Sequence, residues 1–124
     1  MNLNAFKNLS TQRTDRSIHN ARVNPEQINY IVPSGPDRAG SCVLTMTAGL
    51  ADGGSTIRPT DDLTTLAQTF RNLTSAQVYE TSSASNRSSA LVNMARVALI
   101  EEKGVYATLS FVDGDRLNIV KTWP

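Results

Sequence analysis

The sequence predicts an α+β fold, with a small antiparallel sheet packed against two helices behind an irregular N-terminal arm. Three observations predict it: period-two alternation at 42–48 and again from 105, an amphipathic stripe through 63–73, and a run at 90–100 that is apolar nearly all round. At 124 residues the chain suits one domain, able to bury roughly two-thirds of the surface its unfolded form exposes.

Residues 1–26 mix polar and apolar types without a sustained period, so they read as a polar arm ahead of a single domain at 27–124. The first strand is expected near 27–32, where Ile28, Tyr30 and Val32 alternate with Asn29 and Ile31 before a Pro33-Ser34-Gly35-Pro36 breaker. The second is expected near 42–48, with Cys42, Leu44, Met46 and Ala48 on the buried face. Residues 49–58 hold Asp52-Gly53-Gly54-Ser55 and read as a loop. A helix follows near 60–74: Thr60 can cap it, Asp61 and Asp62 favour its positive end, and Leu63, Leu66, Ala67, Phe70 and Leu73 form its stripe.

Gln77 to Thr81 can form a short strand, with a polar Ser82–Asn86 loop after it. The second helix is expected near 88–103, because alanines in Ala90–Ile100 allow close packing and Lys103-Gly104 suits a helix end. A strand at 95–101 is the rival reading. Strands near 105–112 and 116–123 close the fold as a hairpin. A three-residue loop Asp113-Gly114-Asp115 would pair Phe111 with Leu117, Leu109 with Ile119 and Val105 with Trp123, keeping apolar residues on one face. No internal repeat is evident.

Composition narrows the functional classes. Hydrophobic residues at 40% and charged residues at 19% fit a globular chain. No run approaches the roughly 20 apolar residues that span a bilayer, and the first residues lack a secretory pattern, so the expected location is the cytoplasm or an assembled particle. With Cys42 as the one cysteine and His19 as the one histidine, an intramolecular disulfide and a structural zinc site within one chain are both excluded. Three sequon-like triplets at Asn8, Asn72 and Asn86 would matter only after secretion.

Each candidate chemistry has a simpler explanation. Asp15, Ser17 and His19 crowd into five positions, too close to converge as a nucleophilic triad. Cys42 sits on a core face, where a thiol acts as a small hydrophobe. Turn and capping roles account for Asp61, Asp62, Asp113, Asp115 and the Glu101-Glu102 pair without a calcium or magnesium ion. Gly49, Gly53 and Gly54 lack the lysine and spacing of a phosphate loop. The sequence therefore predicts no catalytic residue, no metal, no cofactor and no small-molecule substrate.

Arginine outnumbers lysine by nine to three, although net charge is only +1. Guanidinium groups favour bidentate phosphate contacts, so Lys7, Arg13, Arg16 and Arg22 in the arm are the expected RNA or DNA phosphate contacts, of a weak kind. The leading functional expectation is a non-enzymatic assembly protein that forms a homo-oligomer through a sheet edge or an apolar helix face, with Tyr106, Thr108, Val120 and Trp123 at the interface. In composition the chain is similar to small viral or phage structural proteins, which implies a capsid-type subunit. The alternatives are a protein-binding regulator or inhibitor, and a small enzyme whose site forms between subunits from His19, Tyr106 and carboxylates.

Overall fold

A computed structural model describes residues 5–13, 16–33, 42–47, 56–79 and 88–123. The fold is mostly β, which corrects the α+β expectation: among the described residues, ten strands stand against one seven-residue α-helix.

The first correction lies at the N-terminus. The described part of the supposed arm is a hairpin of β1 (Lys7–Gln12) and β2 (Ile18–Val23), paired from Lys7↔Val23 to Gln12↔Ile18. Its inner face carries Leu9 and Val23, both 2% exposed, into the core. These two side chains are too few to show a period in the sequence, yet they anchor the hairpin.

A 3-10 turn at Pro25–Gln27 leads into β3 (Ile28–Pro33), which pairs antiparallel with β4 (Cys42–Met46). The loop expected after β4 contains a two-residue strand, β5 (Thr56–Ile57), and its remainder at 49–55 lies outside the described residues. The first expected helix exists but is shorter: α1 spans Leu63–Thr69. Its cap is Asp62 rather than Thr60, because the Asp62 carboxylate accepts the Thr65 N–H at 2.9 Å. That bond holds the Asp62 carboxyl below its ordinary range. Strand β6 runs over Thr74–Gln77, earlier than the strand expected at 77–81, whose residues 80 and 81 are outside the described set.

The second expected helix, near 88–103, is absent. Its residues form β7 (Ser89–Val92), a 3-10 turn at Met94–Arg96 and β8 (Val97–Lys103). The all-round apolar character has a different cause from helix packing. Ala90, Leu91 and Val92 are all buried because β7 is a strand covered on both faces. Asn93 then breaks the run, its side chain accepting the Ala95 N–H at 3.2 Å. The same device occurs earlier: Asn24 accepts the Glu26 N–H at 3.1 Å. Val23-Asn24-Pro25-Glu26-Gln27-Ile28 and Val92-Asn93-Met94-Ala95-Arg96-Val97 are thus one strand–turn–strand unit used twice, a local repeat the sequence reading missed.

The chain closes with β9 (Tyr106–Phe111) and β10 (Arg116–Val120). The three-residue loop is present but begins one residue earlier, at Val112-Asp113-Gly114. It is closed by Phe111 N–H to Asp115 O at 2.8 Å and Gly114 N–H to Phe111 O at 2.9 Å. Gly114 takes φ 93°, the left-handed position such a loop needs. The register is therefore Leu109↔Leu117 and Ala107↔Ile119, two residues from the expected one. A slip of two preserves the faces, so the apolar side was predicted correctly while the partners were not. Val105 is not paired with Trp123; it lies in the β8–β9 turn.

Five strands order as β5-β4-β3-β7-β6 and three as β10-β9-β8. Leu9, Val23, Ile31, Leu44, Leu66, Phe70 and Leu91 pack together on one side of the larger sheet, beneath the hairpin and α1. Val92, Leu109, Phe111 and Ile119 pack on its other side with Tyr30, against the smaller sheet. Adjacent pairs Tyr30/Ile31 and Leu91/Val92 serve opposite cores, because successive strand residues face opposite ways. The result is three layers with the five-stranded sheet in the middle.

Candidate functional site

Strand β8 is the feature the fold leaves unfinished. Among the described residues it is the last strand of its sheet and pairs with β9 alone. Six of its seven residues are exposed, including Leu99 at 53% and Ile100 at 42%. Cross-strand pairing places Ile100 beside Leu109 on the inner face and Leu99 beside Ser110 on the outer one. Both faces of one edge thus carry exposed apolar side chains, the condition that invites another strand.

The β8–β9 hairpin sets which backbone groups are available. Lys103 pairs with Tyr106 across a two-residue turn in which Gly104 has φ 79° and Val105 does not have positive φ, a type II′ turn. The closing pair of such a turn is hydrogen-bonded, and bonded pairs alternate along an antiparallel ladder. Lys103, Glu101 and Leu99 therefore direct their N–H and C=O groups at β9. Ile100 and Glu102 direct theirs outward.

Beside this edge the inner faces of the two sheets leave an apolar groove of roughly 590 Å³, with Val92, Ile100, Leu109, Ile119 and Trp123 among its walls. Trp123 is tied to β8, its indole N–H donating to Glu102 Oε1 at 2.6 Å, while Lys121 Nζ approaches the same oxygen at 3.1 Å. The Trp123 bond first, then Lys121, holds the Glu102 carboxyl below its ordinary range.

The other expected interface residues lie on the outer face of the small sheet. Tyr106 stacks on Tyr79, ring centroids 4.5 Å apart and planes 4° from parallel. Thr108 donates to Asn118 Oδ1 at 2.7 Å. Val120 pairs opposite Tyr106 on the same face. Trp123 belongs to the groove, so the four residues do not form one patch. Leu99 and Ile100, which the helical reading had hidden in a core, were missed; the signal was their β-strand context.

The four basic residues expected to contact phosphate are also divided. Arg13 and Arg16 sit at the hairpin tip, whereas Lys7 and Arg22 stand near its open end, roughly 17 Å away along six-residue strands. Arg16 adopts φ 70°, and its N–H bonds to Arg13 O at 2.9 Å, repeating the arrangement around Gly114. At the tip Ser17 Oγ and His19 Nε2 are 2.9 Å apart on the surface, and Asp15 is outside the described residues.

Cys42 is buried, and burial first, then the charge of Asp62, pushes its thiol up, away from the thiolate a nucleophile needs. Among the described residues no three His, Cys, Asp or Glu side chains are grouped to hold a metal ion. None of the described helices is long and apolar enough to cross a membrane.

A buried polar network braces the small sheet. Asn29, fully buried, donates to Asp113 Oδ2 at 3.0 Å and accepts from Arg96 Nε at 2.9 Å, while Arg96 O accepts the Val112 N–H at 2.9 Å. It joins β3, the turn before β8 and the β9–β10 loop, fixing where the β8 edge projects.

Comparison with protein-family models, with curated proteins and with solved structures gives no match, so the reading of this site rests on its own geometry.

Proposed function

We propose that this chain is a self-associating structural subunit whose β8 strand pairs antiparallel with β8 of a second copy. The observation that carries the reading is an edge strand of seven residues with Leu99 and Ile100 exposed on opposite faces. A two-fold pairing extends the three-stranded sheet to six strands and covers both apolar side chains at once.

Backbone phase restricts the register. Because Ile100 and Glu102 face outward, a two-fold pairing must oppose outward residues with outward residues, which leaves Leu99, Ile100 or Glu101 on the axis. An axis at Glu101 sets that carboxylate against its own copy, which is unfavourable. An axis at Ile100 opposes Leu99 to Glu101 and Val97 to Lys103. An axis at Leu99 opposes Ala98 to Ile100 and Val97 to Glu101. Both favoured registers keep the apolar residues central and bring no like charges face to face, so the strand is complementary to itself.

Light scattering on the eluting protein tests this. Ile100→Pro removes an outward N–H and spares the β8–β9 ladder, so it is expected to give a folded monomer. Leu99→Pro removes an inward N–H and is expected to disrupt the hairpin itself. A wild-type chain that stays monomeric at high concentration would sink the proposal.

A further inference from the structure

The outer face of the small sheet carries a second feature, separate from the β8 edge. Lys103, Tyr106, Thr108, Arg116 and Asn118 line a shallow polar depression of roughly 290 Å³. Lys103 and Arg116 begin at opposite corners of the three-stranded sheet, opposite Tyr106 and Ser110 respectively, yet both bound this one depression. Neither has a carboxylate within ion-pair distance among the described residues. Glu101 shares the face and opposes Thr108, so the surface is positive at two points rather than uniformly.

Between the cations lie groups suited to a base. The Tyr106 ring is held by its parallel stack on Tyr79, and Thr108 and Asn118 are preset by their 2.7 Å hydrogen bond. An aromatic platform with flanking cations and amide or hydroxyl groups is the arrangement that binds single-stranded nucleic acid, with phosphates on the cations and a base on the ring. A duplex offers no unstacked base to such a platform.

We infer that the depression bounded by Lys103, Tyr106 and Arg116 binds a single-stranded RNA segment through two phosphates and one stacked base. It lies within one chain and does not depend on β8 pairing. If β8 does pair about a perpendicular two-fold, both depressions face the same side of the joined sheet.

Fluorescence anisotropy with a labelled, mixed-sequence single-stranded RNA of about 16 nucleotides tests the inference, since that length covers one such site. Lys103→Ala with Arg116→Ala is expected to reduce the slope of log affinity against log salt by about 1.4, the share of two phosphates on a single strand. Tyr106→Leu is expected to weaken binding about fivefold or more, the loss of one stacked base. Arg13→Ala with Arg16→Ala is expected to leave the slope nearly unchanged. Circular dichroism confirms that each variant is folded; both cations are surface side chains. The monomeric Ile100→Pro protein is expected to retain RNA affinity per chain, which separates this inference from the pairing proposal. Absence of RNA binding by the wild type, an unchanged slope in the Lys103/Arg116 variant, or equal binding of duplex RNA would overturn it.

Discussion

Glu102 is the residue whose chemistry is easiest to read out, because it holds the only tryptophan of the chain. Its folded-state carboxyl is lowered, so the stabilisation it gives is present above its unfolded value and is lost as pH falls through the folded one. Acidification below the ordinary carboxylate range is therefore expected to shift Trp123 fluorescence, and Glu102→Gln to remove that step; an identical titration in the variant would contradict the assignment. Arg16 carries a local cost instead. It occupies the left-handed position that Gly114 fills in the other three-residue turn, a conformation costing an ordinary residue about 1 kcal/mol. Arg16→Gly is expected to raise unfolding free energy by about that much in a urea titration, with no gain if the strain is absent. Asn29 shows the opposite case, a polar side chain worth keeping. Asn29→Ala removes one hydrogen bond from Arg96 and one from Asp113 at a partly buried site, and a loss of about 1–3 kcal/mol is expected.

At the scale of elements, turns and caps decide more than strand propensity does. Gly104 sits at φ 79° with open space around a hypothetical Cβ, so Gly104→Ala has no clash to pay for and should lose only the conformational term, about 1 kcal/mol. A much larger loss by thermal denaturation would mean that the β8–β9 hairpin is held differently. Alternation made β4 and β9 legible, because each has one strongly buried face; β3 was legible from its apolar run and the Pro33 breaker, although Tyr30 and Ile31 serve opposite cores. The 88–103 segment was not legible, because β7 is buried on both faces and so lacks the period that distinguishes strand from helix. Asn93 was the available signal: it repeats the role of Asn24 at the same distance from a following β-branched residue, and only the second occurrence makes the pattern visible.

Across the whole molecule, two apolar clusters flank one sheet and are separated by its backbone. Leu66→Ala in the first and Leu109→Ala in the second are each expected to cost about 2–5 kcal/mol. Since the two side chains share no cluster, their losses should add within about 0.5 kcal/mol in the double variant. A larger coupling would show that the middle sheet transmits packing changes between its faces. The same layering explains the candidate sites: among the described residues the central strands β3 and β7 of the middle sheet are covered on both faces, so the exposed surfaces proposed for recognition fall to the outer sheet and its β8 edge.

Local period and turn chemistry specify the central strands, a helix within 60–74, the inward direction of Cys42 and the faces of β9 and β10. The sequence by itself also made Lys7, Arg13, Arg16 and Arg22 visible as charges, though not as a patch. Long-range pairing, by contrast, makes the N-terminal segment a hairpin and 88–103 two strands, and puts Lys103 and Arg116 on the rim of one depression across β9. The reason is physical: burial on two faces erases the periodic signal, and cross-strand neighbours are set by long-range pairing that no local spacing encodes.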